Sequence, residues 1–214
     1  MSAALDELVD GLRDRVLRLA ERGPRVVVGV VGEPGAGKST LTHAVAEAVQ
    51  GAGVSTAVVP MDGFHLSNGE LARLGRADRK GALDTFDGAG YVALLRRLRE
   101  ETEGVVYAPQ YVRGALESSI GSAIPVAPDV RVVLTEGNYL LVVDPPWSAV
   151  RDLLDESWFV DADPELRRRR LYERHTANGK SPERARAFTD GSDEANAELV
   201  RATCSRADVV VPWP

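Results

Sequence analysis

The feature that most constrains this chain is the octapeptide GEPGAGKS at residues 32–39, which fits the pattern G-x-x-x-x-G-K-[ST]. It follows an apolar, β-branched run at residues 25–31 that is typical of a buried strand, and it precedes a helical pattern at residues 38–50. Glycines at these spacings let backbone N–H groups turn toward phosphate oxygens at the positive end of a helix dipole. The strand, the loop and the helix together predict a binding site for a nucleoside triphosphate.

The residues of this loop are expected to hold the phosphates and a metal ion. Lys38 is expected to bridge the outer phosphates, and the hydroxyl of Ser39 is expected to bind Mg²⁺. A glycine-rich turn without a ligand is the alternative, but the flanking strand and helix favour the nucleotide. The residues predicted to contact the nucleotide in this loop are Gly32, Glu33, Pro34, Gly35, Ala36, Gly37, Lys38, Ser39 and Thr40.

The rest of the chain alternates short apolar runs with patterns of helical period, and it contains no linker, repeat or low-complexity segment. Further strands are predicted at residues 55–60, 130–135, 157–160 and 208–211. Longer helices are predicted at residues 5–19, 91–100, 145–154, 164–175, 182–189 and 193–202. This alternation predicts an α/β fold, a P-loop NTPase-type three-layer sandwich with a mostly five-stranded parallel sheet, in one domain over residues 1–214.

Two local features complete this expectation. Ser67, Asp163 and Ser181 stand where a side-chain oxygen can cap the helix that follows, the first of them opening a short helix near Leu71. Residues 105–126 contain scattered Gly, Pro and Ser without a clear period, which predicts an excursion over one edge of the sheet. A hairpin is one form that such an excursion can take.

The composition excludes several classes of protein. The 26 Lys and Arg residues are outnumbered by 32 Asp and Glu residues, so the net charge of −6 gives no general attraction to nucleic acid or acidic lipid. The single cysteine, Cys204, suits a reducing compartment, and no apolar stretch is long enough to span a bilayer. We therefore expect a cytoplasmic protein that binds neither nucleic acid nor membrane. The sequence is also compatible with a homodimer.

A phosphate-binding loop alone does not say where the terminal phosphoryl group goes. A guanine-specific GTPase normally carries an [N/T]-K-x-D motif late in the chain, and none of the three lysines, Lys38, Lys80 and Lys180, stands in that setting. A chain of 214 residues also lacks room for the second working domain of a motor. Transfer from ATP to the hydroxyl of a small molecule is therefore the leading interpretation.

Two acidic residues follow predicted strands and are expected to share the rim of the sheet with the loop. Asp62 comes just after the second strand, where a carboxylate can take the proton of an attacking hydroxyl. Glu136 ends another strand, where a carboxylate can hold Mg²⁺ directly or through water. The alternatives are a helix cap for Asp62 and a purely structural acid for Glu136.

Three arginines lie at i, i+3 and i+7 on the predicted helix after Asp163, so their guanidinium groups share one stripe. Arg167, Arg170 and Arg174 suit a lid, spanning approximately residues 164–190, that closes over the triphosphate and stabilises charge on the transferring group. A solvated basic face paired with acidic neighbours is the alternative for any one of them.

With these features, the sequence resembles the P-loop kinases that include uridine kinase, bacterial pantothenate kinase and phosphoribulokinase. The likeness covers nearly all of residues 26–211. Residues 61–87 are similar to the D-G-F … R-K-G-x-x-x-[ST]-[FY]-D stretch of pantothenate kinases and of their shorter relatives named as nucleoside or fructose kinases. Residues 135–141 resemble the family's E-G-x-x-x-L strand end, and residues 161–174 resemble its arginine-rich lid.

The resemblance implies that Asp62 is the catalytic base and that Arg206 lies near the adenine, at the start of the last strand. The chain departs from its relatives at Tyr111-Val112-Arg113, where they often have an aromatic residue followed by Asp and Arg, so the acceptor stays open. The expected acceptor contacts are His65, Arg79, Lys80, Asp84, Tyr111, Arg113 and Tyr139. ATP and Mg²⁺ are the expected cofactors, and a nucleotide-switched binding protein with slow hydrolysis is the alternative function.

Overall fold

The computed structural model describes residues 3–100, 103–113 and 118–214. The α-helices are α1 (Ala3–Ala20), α2 (Lys38–Gly51), α3 (Asn68–Arg73), α4 (Gly88–Glu100), α5 (Pro164–Ala177), α6 (Pro182–Asp190) and α7 (Ser192–Arg201). The strands are β1 (Val26–Gly32), β2 (Thr56–Pro60), β3 (Val106–Val112), β4 (Ser118–Val126), β5 (Val132–Gly137), β6 (Glu156–Ala162) and β7 (Val209–Trp213).

Five strands form one parallel sheet in the order β2-β5-β1-β6-β7, which confirms the predicted architecture. All seven residues of β1 are buried, as expected for the central strand of a sheet covered on both faces. The registers place Pro60 beside Glu136 and Val31 beside Gly137. The carboxyl ends of β2, β5 and β1 therefore meet at one edge, and the residues that follow these strands are neighbours in space.

The two faces of the sheet carry separate apolar cores. On one face, α1 and α2 pack through residues such as Val16, Leu41 and Val45 against Trp158 of the sheet. On the other face, α4 contributes much of the core through Tyr91, Leu95 and Leu98. Each of these large apolar side chains contributes roughly 1.5–3 kcal/mol through burial, which fixes the helices against the sheet.

Strands β3 and β4 form a separate antiparallel pair, so the excursion predicted at residues 105–126 takes the form of a hairpin, of which residues 114–117 lie outside the described part. The hairpin lies over the turn that follows β2. A Cβ atom added to Gly63 would come within 2.3 Å of the carbonyl oxygen of Pro109, so glycine is required for this close approach. The contact brings the end of β3 toward Asp62.

The prediction of a helix at residues 145–154 is wrong. Two short 3₁₀ turns at Trp147–Ala149 and Arg151–Leu153 occupy this segment instead. Its apolar residues Trp147, Val150 and Leu153 recur every three residues, which suits the three residues per turn of a 3₁₀ helix as well as an α-helix.

The three predicted caps are confirmed, because the side chains of Ser67, Asp163 and Ser181 accept hydrogen bonds from backbone N–H groups of α3, α5 and α6. No helix within the described ranges combines the length and the apolar character needed to cross a membrane.

Candidate active site

A cavity of about 600 Å³ opens at the carboxyl edge of the sheet. The phosphate-binding loop forms one wall through Pro34, Gly35, Lys38 and Ser39. Asp62 and Glu136, which follow β2 and end β5, line the same cavity. The three features that the sequence predicts to converge therefore lie around one space.

The loop holds its shape through glycines that no other residue could replace without strain. Gly35 and Gly37 have φ angles of 81° and 93°, in the left-handed region. A Cβ atom on Gly35 would lie 2.7 Å from the carbonyl oxygen of Arg167, and one on Gly37 would lie 2.5 Å from Nε1 of Trp213. The loop is thus a tight cradle packed against α5 and the end of β7, as binding a phosphate through backbone atoms requires.

Lys38 lies at the bottom of this cradle. Its ammonium group donates to the carbonyl oxygens of Gly32 at 2.9 Å and Glu33 at 3.0 Å, and to Oδ1 of Asn138 at 2.7 Å. Burial lowers the pKa of Lys38 to about 8, while the nearby carboxylates of Glu136 and Asp62 oppose the shift. The ammonium group is held in place by neutral oxygens and is poised to meet an anion.

The side-chain oxygens of Ser39 and Glu136 lie together beside Lys38. The hydroxyl of Ser39 donates to Oε1 of Glu136 at 2.8 Å. Burial and the negative charge of Asp62 raise the pKa of Glu136. The oxygens suit Mg²⁺, which binds through one or two carboxylates together with water and phosphate oxygens. In the described part of the chain, no cluster of three or more His, Cys, Asp or Glu residues could hold a metal ion by itself.

Asp62 is held between a loop histidine and a hairpin arginine. Its carboxylate forms a short ion pair with Arg113 at the end of β3, and its carbonyl oxygen lies 2.8 Å from Nδ1 of His65. The side chain of Asp62 is 29% exposed, so its carboxylate is reachable from the cavity. A carboxylate in this position can accept a proton from a bound hydroxyl.

Aromatic rings build the wall next to Asp62. The ring of His65 lies between those of Phe86 and Tyr111, at centroid distances of 4.1 Å and 4.4 Å. The cations of Lys80 and Arg113 lie 5.1 Å and 5.3 Å from the centroid of the Tyr111 ring. Of the expected acceptor contacts, the structure therefore brings His65, Lys80, Tyr111 and Arg113 together at the cavity.

The three arginines of α5 do not share one role. Arg174 lines the cavity, where burial and the nearby Arg113 lower its pKa. Arg167 does not line the cavity, contrary to expectation, because its fully buried guanidinium lies 2.9 Å from Glu33 and forms a short contact with Glu194. Arg170 does not line it either, because it donates to the carbonyl oxygen of Pro214 at 2.6 Å. A stripe at i, i+3 and i+7 is wide enough for its members to meet different neighbours.

Four other expected contacts also lie away from the lining of the cavity. Arg79 and Asp84 bind each other at 2.8 Å on the surface, and the buried Tyr139 donates to the carbonyl oxygen of Gly81. Arg206 donates to the carbonyl oxygen of Leu141 and precedes β7. Since β7 runs parallel to β6, the start of β7 lies at the opposite edge of the sheet from the phosphate-binding loop. The contact of Arg206 with the adenine stays a prediction.

Sequence reasoning missed a polar group that only the fold assembles. All four asparagines of the chain line the cavity, and so do all three lysines. The lysines stood out by their rarity in an arginine-rich chain, but the asparagines gave no local signal. The lining residues that the sequence did not predict for the site include Asn68, Asn138, Asn178, Asn196, His175, Lys180, Arg184 and Asp193.

This fold and this site define the chain as a P-loop kinase. The family model described as "Phosphoribulokinase / Uridine kinase family" matches residues 27–213, and the chain belongs to that family. "Putative uridine kinase C227.14" of Schizosaccharomyces pombe is 34% identical over 210 residues, which cover 94% of this chain and 89% of that protein.

Two further similarities come from a solved structure and from a longer enzyme. The crystal structure of a "putative fructose transport system kinase from Silicibacter sp. TM1040" has a TM-score of 0.86 and 38% identity, and the match covers 96% of this chain and 98% of that one. A pantothenate kinase of Clavibacter michiganensis is 36% identical over 161 residues, which cover 70% of this chain but 48% of that protein. The protein is an ATP-dependent kinase of a small molecule.

Proposed function

We propose that the protein transfers the γ-phosphate of ATP to a hydroxyl group of a small polar metabolite of the nucleoside, sugar or pantothenate type. The observation that carries this proposal is that Lys38, the Ser39–Glu136 pair and Asp62 line one cavity. The names of the relatives, which include a "Putative uridine kinase", a "putative fructose transport system kinase" and a pantothenate kinase, support this range of acceptors.

The loop and its neighbours hold the nucleotide in this proposal. The backbone of residues 32–39 and the ammonium group of Lys38 bind the phosphates, while Ser39 and Glu136 hold Mg²⁺. When bound, Mg²⁺ neutralises charge on the phosphates during transfer. Glu136 enters this role as a buried acid, and binding of a cation favours its ionised form.

Asp62 is the general base. It accepts the proton of the acceptor hydroxyl as the hydroxyl oxygen forms a bond to the γ-phosphorus, while the bond from that phosphorus to the bridging oxygen breaks and ADP leaves. Its short ion pair with Arg113 orients the carboxylate before the acceptor arrives. The aromatic wall of Phe86, His65 and Tyr111 bounds the space where the acceptor lies.

Residues 164–190, which comprise α5 and α6, act as a lid in this proposal. Within this lid, Arg174 is the cation that stabilises the transferring phosphoryl group. It lines the cavity, and no described residue forms an ion pair with it. A guanidinium without an acidic partner is available for the charge that develops on the phosphoryl group. We also propose a cytoplasmic location, which the single cysteine supports.

The test is the release of ADP from ATP and Mg²⁺, measured with and without a panel of sugars, nucleosides and pantothenate. Acceptor-dependent release supports the kinase, whereas hydrolysis that ignores every acceptor supports the nucleotide switch. Asp62→Asn should lower turnover by roughly 10²- to 10⁴-fold while nucleotide affinity stays nearly unchanged. Asp78→Asn is the matched control, because Asp78 is 81% exposed and does not line the cavity. Normal turnover of Asp62→Asn would remove Asp62 from the mechanism.

A further inference from the structure

The charges around the cavity are unequal. Among the residues that the structure describes, three carboxylates line it, those of Asp62, Glu136 and Asp193, and each already has a partner: Arg113, Ser39 and His175 respectively. The described cations that line it are twice as many, namely Lys38, Lys80, Arg113, Arg174, Lys180 and Arg184. A cavity with this surplus attracts anions, and the triphosphate would meet Lys38 and Arg174 first.

The amides add to this excess of donors. The ammonium groups of Lys38 and Lys80 donate to the Oδ1 atoms of Asn138 and Asn68 at 2.7 Å and 2.6 Å. Because an ammonium group can only donate, these contacts fix the orientation of both amides. The remaining polar atom of each side chain is therefore an NH₂ group, which donates. A ligand rich in acceptor oxygens fits this lining better than one rich in hydroxyl donors.

Arg113 is the cation that lies next to the proposed base. One of its terminal nitrogens contacts Asp62, and its Cζ atom lies 5.3 Å from the centroid of the Tyr111 ring. A guanidinium has five N–H groups in a planar fork, so a single contact leaves donors that can bind the two oxygens of a carboxylate or phosphate. An anion bound there would lie beside Asp62, and the hydroxyl that Asp62 deprotonates would be only a few bonds away.

We infer that the acceptor carries a carboxylate or a phosphate within a few bonds of the hydroxyl that is phosphorylated, and that Arg113 binds this anionic group. The inference rests on the proposed function and narrows its acceptor to hydroxy acids and phosphorylated hydroxy compounds. A neutral nucleoside or sugar would leave the donors around Arg113 unsatisfied once water is excluded, which costs binding free energy.

The test compares matched acceptors that differ only in the anionic group. The pairs are pantothenate with panthenol, glycerate and glycerol 3-phosphate with glycerol, and fructose 6-phosphate with fructose. The anionic member should have a kcat/KM at least about tenfold above that of its neutral partner, because a charged hydrogen bond is worth about ten- to a hundredfold. Comparing the carboxylates with the phosphates shows which anion the site prefers. A neutral member that matches or exceeds its anionic partner overturns the inference.

Arg113→Met separates acceptor recognition from phosphate transfer, and Arg73→Met is its control, since Arg73 is exposed and does not line the cavity. Because Arg113 also orients Asp62, the Arg113 variant should lower kcat for both members of a pair. It should lower kcat/KM for the anionic member by about a further ten- to a hundredfold relative to the neutral one, chiefly through KM. An equal loss of kcat/KM with both members would limit Arg113 to orienting Asp62 or binding the transferring phosphate, and would overturn the inference.

If no compound in the panel is phosphorylated, the binding of small anions tests the inference instead. Malonate and inorganic phosphate are titrated into protein saturated with Mg²⁺ and a non-hydrolysable ATP analogue, so that the phosphate-binding loop is already filled. At least one probe should bind saturably to the wild type and to Arg73→Met, and about tenfold more weakly to Arg113→Met. No saturable binding to the wild type, or equal binding to the Arg113 variant, overturns the inference. Transfer to neutral acceptors alone would overturn it and leave the proposed function standing.

Discussion

Arg167 ties the phosphate-binding loop to α7, and replacing it by methionine tests how much that tie contributes. Its guanidinium is fully buried, lies 2.9 Å from Glu33 and forms a short contact with Glu194. It also donates to the carbonyl oxygen of Pro34 at 3.2 Å. Methionine keeps much of the volume of the side chain and removes its charge and its hydrogen bonds.

The magnitude follows from what the substitution leaves behind. Removing one partner of a buried ion pair costs about 3–5 kcal/mol, because the other charge is left uncompensated. Glu33 and Glu194 keep Arg201 at 2.8 Å and 3.5 Å, so the loss should fall at the lower end of that range, about 3 kcal/mol. For a chain of this length, that free energy corresponds to a fall in Tm of about 6–12 °C.

The assay is urea denaturation followed by circular dichroism, with ATP affinity measured on the same preparations. Arg169→Met is the matched control, since Arg169 is 67% exposed and lies 3.9 Å from Glu173. We expect Arg167→Met to lower the midpoint with an unchanged m-value and to weaken ATP binding, because the loop loses its contact at Pro34. A loss of free energy of unfolding no larger than that of the control would refute the buried network.

Two further predictions concern the phosphate-binding loop. Gly35→Ala should weaken ATP binding at least about tenfold, because a φ of 81° and a Cβ position 2.7 Å from the carbonyl oxygen of Arg167 force the loop to move. The control is Gly53→Ala, which should bind ATP normally, because Gly53 has a similar φ of 84° but open space around its Cβ position. Normal binding by the Gly35 variant in a calorimetric titration would contradict the cradle. A third prediction compares the free energies of unfolding of the wild type and of Lys38→Met. Their difference should increase in favour of the wild type as the pH is raised from about 8 to about 10.5. In this range Lys38 has lost its proton in the folded state, where its pKa is lowered to about 8, but keeps it in the unfolded state, where its pKa is near 10.5. A flat difference across that range, in denaturation curves without nucleotide, would show that the ammonium group is not buried as described.

The positions where sequence reasoning failed share a physical cause. Arg167 and Arg174 carry the same charge on the same helical stripe, but one meets the acids of the loop and α7 while the other meets the cavity. Asn68 and Asn138 are 70 residues apart, and only strand order and the path of the intervening segments bring them to one cavity. Side-chain partners that are distant in sequence are set by packing.

The sequence by itself determined the local features: the loop at residues 32–39, the caps of α3, α5 and α6, and the alternation of strands and helices. Each depends on interactions within a few residues, such as a glycine φ angle or a hydrogen bond from a cap, and these leave a short-range pattern. The tertiary structure alone decided the strand order β2-β5-β1-β6-β7 and the pairing of Asp62 with Arg113. These depend on contacts between segments far apart in the chain, whose free energies come from burial and charge pairing that the folded arrangement creates.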